Sequence, residues 1–405
     1  MKTEIVITSK GTSILSCQYE DDKLYEIWLE PAGPHIRLGD IYLGKVKNIV
    51  KNLNAAFVEI RPSVMGYYSL RDNKSHHFAN VKKNDRLCEG DEILVQVDGE
   101  NIKAKEWQLT GKISIQGSSC VYFPGGSGVR VSRKIKDPVL RDHLKELALA
   151  EDLPGGVTIR TAASSADDRN IAIELRELAH EGENVMASYK TRTCGSLLRA
   201  GESIFMQMIK RHICDPDCVI TTDLPRVYEQ VSSYISSMRL DAGSPAPQVR
   251  LYEDENFSLT NLKGINDQIE KACSRRVWLR SGGYLIIDNT EAMSVIDVNT
   301  GKNIRRADTE KLFFETNMEA ACEVMRQIRL RNLSGMILVD FINMRSEEHK
   351  SQLFVKAREL AQADPIQTSV IDLTALQILE ITRRRSRHSL QEMLGAEGNK
   401  PKTVD

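Results

Sequence analysis

Two aspartates, Asp297 and Asp340, each close a short apolar run, in MSVIDVNTGK and GMILVDFINM, and residues 293–344 are where chemistry is best sought. The run 336–339 is short and follows Gly335, as a buried strand should, yet it leads into a carboxylate. A charge buried alone is costly, so such an aspartate is expected to be protonated, ion-paired or bound to a cation. Period-two alternation puts Asn299 on the same face as Asp297. Three oxygen donors could then converge, a set that suits Mg2+ or Mn2+ better than zinc. Either aspartate alone could equally be a turn former or a helix N-cap. Their matched positions, with Asn299 in register, favour the site.

One helix should position them. The segment RADTEKLFFETNMEAACEVMRQIRLRNLSG offers Asp308 as an N-cap, then Leu312, Asn317, Ala320, Val324 and Ile328 at helical spacing, with Gly335 past its end. A strand, helix, strand unit of this kind is expected to be right-handed with parallel strands. If those strands are neighbours, both carboxylates stand at their carboxyl ends, where open α/β sheets place their sites.

A chain of 405 residues is long enough for roughly two to four domains. Its net charge of −1 excludes an overall basic field, so any nucleic-acid surface must be local. The eight cysteines form no disulfide framework; Cys214 and Cys218 stand near His212, but no second pair follows, so no zinc site is expected. Free thiols suit an intracellular protein. No stretch of about 18 apolar residues and no signal-like N-terminus is present, so a cytoplasmic protein without a membrane span is expected.

Residues 4–8 and 24–29 read as strands around a turn at 20–23, too little to fold alone, and must join a sheet from elsewhere in the chain. After the break at 31–34, GDIYLGKVKNIVKNLNAAFVEIRPSVMGYYSL and the strand 93–97 read as a small β-barrel. This segment resembles an S-one-type OB-fold, a barrel that carries single-stranded RNA on an aromatic and basic face. Phe57, Tyr67 and Tyr68 could stack bases, with Lys45, Lys47, Lys51 and Lys112 for phosphates; for each aromatic, a place in the core is equally open. Beyond it comes the glycine-rich FPGGSGVRVSRKI, where Gly125, Gly126 and Gly128 allow close backbone approach, and Arg130, Arg133, Arg160 and Thr161 could grip phosphate. Helices are expected at 141–150, 171–190, 203–212 and 225–238, and strands at 218–222 and 248–252 as partners for the N-terminal strands. The chain thus reads as α/β with an inserted barrel.

The runs AMSVIDVNTGK, ETNMEAACEVMRQIRLRNLSGMILVDFINM and LEITRRRS resemble the catalytic core of the ribonuclease E/G family of bacterial endoribonucleases, collinearly from Asp40 to about Arg387. The resemblance implies that Asp297, Asn299 and Asp340 hold a divalent metal, normally Mg2+, with the two aspartates catalytic. It implies an RNase-H-like subdomain from 1–34 and 206–272, an OB-fold RNA-binding domain at 35–114, and a 5′-sensor subdomain at 115–205. A DNase-I-like catalytic domain at 273–395 and a tail at 396–405 complete it. By the same likeness Arg160 and Thr161, with the loop from Gly125 to Val129, would bind a 5′-monophosphate. The family places a further arginine near Gln367, where none stands, so sensing of the 5′ end is expected to be weaker or differently built. RNA contacts are expected from Phe57, Tyr67, Lys112 and Arg280.

The family's Cys-Pro-x-Cys zinc link is missing, because no cysteine follows Cys322 and the chain ends SLQEMLGAEGNKPKTVD. A short natural form and a truncated chain fit that ending equally. Zinc and a zinc-linked tetramer are therefore not expected, while a homodimer stays compatible. No histidine matches a general base, so water activation would fall to the cation. Arg275, Arg276, Arg280, Arg305 and Arg306, with Arg326, Arg329 and Arg331, could clamp RNA phosphates or be solvated surface, and the run 383–387 could be a phosphate patch or only a charged helix end. The expected activity is Mg2+-dependent hydrolysis of single-stranded RNA in RNA processing and decay, leaving 5′-phosphate and 3′-hydroxyl ends. A non-catalytic RNA-binding protein and a metal-dependent phosphohydrolase acting on small phosphate esters are the alternatives.

Overall fold

The computed structural model describes residues 2–398 apart from 83, 101–105, 214, 216, 238–245, 255, 291 and 302–308. Asp308, Arg305, Arg306 and Cys214, all singled out above, lie outside the described residues. The chain divides into two compact units, one of Met1–Leu29 with Tyr252–Asp405, the other of Glu30–Leu251.

The first strands are β1 (Thr3–Lys10), β2 (Ser13–Glu20) and β3 (Lys23–Pro31). β1 and β2 pair antiparallel over their whole length. Asp21 and Asp22 both take left-handed backbone, φ 46° and 60°, as a two-residue hairpin turn demands. β2 is the element the sequence does not announce. All its residues but Ile14 are buried, Ser16 and Gln18 included, so both faces are covered and no polar alternation remains to mark a strand.

In the unit Glu30–Leu251, β4 (Ile41–Val50), β5 (Ala55–Arg61), β6 (Val64–Ser69), β7 (Glu92–Gly99) and β8 (Trp107–Thr110) close into a five-stranded barrel, consistent with the OB-type barrel expected. Alternate residues Ala56, Val58, Ile60 and Tyr68 point into its core with Leu109. Gly66 is required there, since a Cβ would come within 2.3 Å of Leu109 Cδ1. A second sheet follows, of β9 (Ile115–Gln116), β10 (Cys120–Phe123), β11 (Val129–Val131) and β12 (Gly156–Ile159), ordered β11-β12-β10-β9, with α1 (Pro138–Ala150) connecting β11 to β12. Asp137 caps α1 by accepting from Val139 N, with Pro138 pre-set for the first turn. The long α2 (Asp168–Ser188) buries Ile171, Leu175 and Leu178 against Ile115, Tyr122 and Ile159. The unit ends with β13 (Leu197–Arg199) on the edge of β4, α3 (Ile204–Arg211), β14 (Val219–Thr222), α4 (Pro225–Ser237) and β15 (Gln248–Leu251), with β14 and β15 parallel.

In the other unit, α5 (Leu259–Leu262) and α6 (Ile265–Cys273) place Leu259, Ile265 and Ile269 against Val6, Leu15, Ile27 and Leu29 of the N-terminal strands. Then come β16 (Arg276–Trp278), β17 (Tyr284–Asn289), β18 (Met293–Asn299), α7 (Thr309–Leu330), β19 (Gly335–Asp340), α8 (Glu347–Ala363), β20 (Thr368–Leu373), β21 (Ile378–Arg383) and α9 (Leu390–Gly398). The six strands form one sheet ordered β16-β17-β18-β19-β21-β20, in which β18 and β19 are parallel and joined through α7. Leu285, Ile287, Ile296, Val298, Ile337, Val339, Leu379 and Ile381 face α7 and α8 and make the core with Ala320, Val324, Ile328 and Leu353. On the opposite face, Val295 of β18 and Met336 and Asp340 of β19 are exposed. No helix among the described residues is long and apolar enough to cross a membrane.

The expectation of two buried carboxylates is corrected by that arrangement. Asp297 and Asp340 are exposed, because their parity in β18 and β19 is opposite to that of Ile296, Val298, Ile337 and Val339. No burial cost has to be offset by a partner.

Candidate functional site

β18 and β19 align Met293 with Met336 and, four residues on, Asp297 with Asp340. Neighbouring strands lie about 4.8 Å apart, so the two aspartates project side by side from the open face. Asp340 is the last residue of β19, and Asp297 lies two before the end of β18. Asn299, half-buried and two residues along the same face, donates from Nδ2 to Asp297 Oδ2 at 2.7 Å. The carbonyl end of that amide has no partner among the described residues, nor does either carboxylate have a cationic one.

This donor set fits a divalent cation. Two anionic carboxylates held side by side repel each other, and an oxygen-binding cation relieves that repulsion directly. Two carboxylates and an amide oxygen would be three of the hard oxygen donors such a cation takes. Among the described residues no cluster of three or more His, Cys, Asp and Glu offers a competing metal site.

The backbone that carries these groups is fixed by hydrogen bonds the sequence does not flag. Asn317, fully buried on α7, donates to Ile342 O at 2.8 Å and accepts from Ile342 N at 3.1 Å, which ties down the chain just after Asp340. Glu310 accepts from Arg345 N and Ser346 N, both at 3.1 Å, and these bonds pull its pKa down. Glu319 accepts from Arg280 N at 2.6 Å and Ser281 N at 3.1 Å. At the far end of β18, Gly301 has φ 65°, and a Cβ there would meet Gly282 O at 2.3 Å. Asn317 was legible as a core position of the helix, but not its second task, because hydrogen bonding to a loop leaves no periodic mark.

The candidate RNA-clamping arginines separate into groups. Arg275 forms a bidentate ion pair with Asp288, at 2.6 and 2.8 Å. Arg276 lies over Tyr284 and Trp278, its Cζ 4.6 and 5.6 Å from their ring centroids. Arg280 is exposed. Arg326, Arg329 and Arg331 turn inward: Arg326 to Leu24 O, Arg329 to Glu20 and Glu26, Arg331 to Gln327 and Ser274 O. The run 383–387 is neither a uniform phosphate patch nor a helix end; it is the exit of β21. Arg383 is buried against Asp364 at 2.8 Å, and Arg387 covers Trp28.

On the barrel, Phe57 and Tyr67 are cross-strand partners on the outer face, half-exposed, with ring centroids 6.1 Å apart in an edge-to-face pair. Lys112 is exposed just past β8. Tyr68 belongs to the core, its hydroxyl bonded to His76 Nδ1 at 2.9 Å. Lys47 pairs with Glu59 at 2.8 Å.

The residues of the expected phosphate sensor lie on and around the parallel pair β11 and β12. Arg160 and Thr161 follow the carboxyl end of β12, where Thr161 Oγ1 lies 3.1 Å from Ser132 Oγ. Gly125 belongs to the loop before β11, and Val129 pairs with Val157 near the amino end of β12. Arg160 donates to Gly117 O at 2.7 Å, and burial together with the Arg211 charge lowers its pKa.

Comparison with known proteins gives the same direction throughout. The profile of the ribonuclease E/G family matches residues 114–386. Ribonuclease E of Nostoc sp. is 32% identical over 402 residues, covering 98% of this chain and 57% of the relative. Ribonuclease G of Escherichia coli K12 is 30% identical over 407 residues, covering 97% of this chain and 82% of the relative. Ribonuclease E of Haemophilus influenzae is 29% identical, and this chain spans 42% of its length.

Proposed function

The chain belongs to the ribonuclease E/G family, and from that premise we propose that it is an endoribonuclease of RNA processing and decay in the cytoplasm. It cuts single-stranded RNA at Asp297 and Asp340 with Mg2+ or Mn2+, leaving 5′-phosphate and 3′-hydroxyl ends. The observation that carries the reading is the side-by-side register of the two aspartates, with Asn299 bonded to one of them.

Asp297, Asp340 and the Asn299 amide oxygen would hold the cation. The chemistry supplied there is neutralisation of charge developing at the scissile phosphate and acidification of a water. The chain's own residues supply the rest. Asn299 fixes the Asp297 carboxylate through its amide, and Asn317 fixes the segment after Asp340. Arg280 and Arg276 offer positive charge to flanking RNA phosphates. Phe57, Tyr67 and Lys112 form a stacking and charged surface that suits single-stranded RNA. A 5′-monophosphate would be taken by Arg160 and the exposed Thr161 hydroxyl together with the loop from Gly125 to Val129, whose end pairs with β12.

The test is Asp297→Asn with an A/U-rich single-stranded RNA. Cleavage should fall on the order of 10²-fold or more, while RNA affinity stays nearly unchanged. A variant that cleaves at the wild-type rate would overturn the assignment. Comparing 5′-monophosphate and 5′-hydroxyl substrates tests the Thr161 end separately, since equal rates would remove that assignment and leave the catalytic one.

A further inference from the structure

Trp278 is 64% exposed on β16, an edge strand, whereas a tryptophan that serves the fold alone normally buries its ring. Its surroundings are ordered. Tyr284, its register partner on β17, packs edge-on with ring centroids 5.4 Å apart. The Arg276 guanidinium lies against both rings, and Arg276 is itself the register partner of Ile286, which faces Asp297. Tyr284 in turn pairs with Asn299. Trp278, Tyr284, Asn299 and Asp297 therefore share one face of one sheet, and Trp278 stands two strand spacings, about 10 Å, from Asn299.

We infer that Trp278 is a stacking platform for one base of the RNA strand bound at Asp297 and Asp340, with Tyr284 bracing the indole and Arg276 beside it for a phosphate. The inference rests on the nuclease reading above. An indole face takes any base, so the platform positions the strand without reading its sequence. A positive group at the edge of a π surface, continuous with a phosphodiester-cutting site, suits a nucleotide: base to ring, phosphate to guanidinium. Arg275 is committed to Asp288, which leaves Arg276 as the cation of this corner that faces the rings.

The experiment is an abasic scan. Single-stranded RNAs of one sequence, each lacking one base at successive positions around the cleaved bond, are cut by wild type, Trp278→Ala and Trp278→Tyr in Mg2+. For wild type, one abasic position should slow cleavage by about 5- to 150-fold, the worth of one stacked base. Trp278→Ala should lose a similar factor on intact RNA and be indifferent to that same position, and Trp278→Tyr should recover much of both. A Trp278→Ala enzyme whose abasic penalties match wild type at every position overturns the platform. So would a variant that cuts normally yet loses self-association in sedimentation, since Trp278 would then belong to a protein interface. Wild type that cuts none of the RNAs would instead overturn the nuclease reading itself, and this inference with it.

Discussion

Asp297 and Asp340 are register partners on two parallel strands, and both face the open side of the sheet without a cationic neighbour among the described residues. Like charges opposed across a sheet destabilise it by roughly 0.2–1 kcal/mol. Asp340→Asn should therefore stabilise the protein slightly in EDTA. The same change should abolish the rise in Tm that Mg2+ produces in wild type, because one ligand of the cation is gone. Thermal unfolding with and without Mg2+ measures both. A variant with an undiminished Mg2+ shift would show that the cation binds elsewhere.

Asn317 reaches the same site from behind. It satisfies both the N–H and the C=O of Ile342 from a fully buried position. Asn317→Ala leaves two backbone groups unpaired at about 1–3 kcal/mol each, softened where water enters. The expected result is a loss of about 2 kcal/mol or more in urea unfolding, with a fall in cleavage rate at temperatures where the variant remains folded. Full activity in the folded variant would mean that the segment after Asp340 holds its shape unaided.

The barrel separates two adjacent tyrosines by their parity. Tyr67 pairs with Phe57 on the outer face, and Tyr68 fills the core. Tyr67→Ala should weaken single-stranded RNA binding by about 5- to 150-fold and leave the barrel folded. Tyr68→Ala should cost about 3–5 kcal/mol of stability. Fluorescence titration with RNA and denaturant unfolding of the two variants distinguish the roles, and a Tyr67→Ala protein of unchanged affinity would remove this face from the RNA path.

What the sequence discloses and what it withholds follow one physical line. The strand, helix, strand unit around Asp297 and Asp340 is legible because α7 repeats its buried residues at helical spacing and β18 and β19 alternate with a period of two. The same alternation cannot tell which face meets the helices, so the carboxylates read as buried when they are exposed. β2 escapes notice because both its faces are covered. Arg383 sits in an arginine run that looks solvated, yet the buried Asp364 and Asn332 that neutralise and bond it are brought there only by the tertiary fold.

Glu30 carries a pH dependence whose sign can be worked out from its partners. Its carboxylate is almost fully buried and accepts from Arg37 Nε at 2.7 Å and Ile204 N at 2.8 Å, with His35 Nε2 3.1 Å away. Burial is the largest single influence and pushes the pKa up, but the His35 and Ile204 hydrogen bonds and the Arg37 charge together outweigh it, leaving the pKa below 4.5. A carboxyl whose folded pKa lies below its unfolded value stabilises the fold fully above the unfolded value. That contribution is lost as pH falls through the folded one. Glu30→Gln keeps the shape and removes the charge, so it should be less stable than wild type at neutral pH, by about 1–3 kcal/mol. The gap should close as the pH drops below 4.5, where the unfolded chain's Glu30 carboxyl protonates first, and on through the lower pKa of the folded state. Urea unfolding of both proteins at neutral pH and through the acid range measures the gap. A difference that stays constant or widens in acid would mean that the ionised carboxylate contributes nothing, and that the His35 and Arg37 contacts are incidental to the fold.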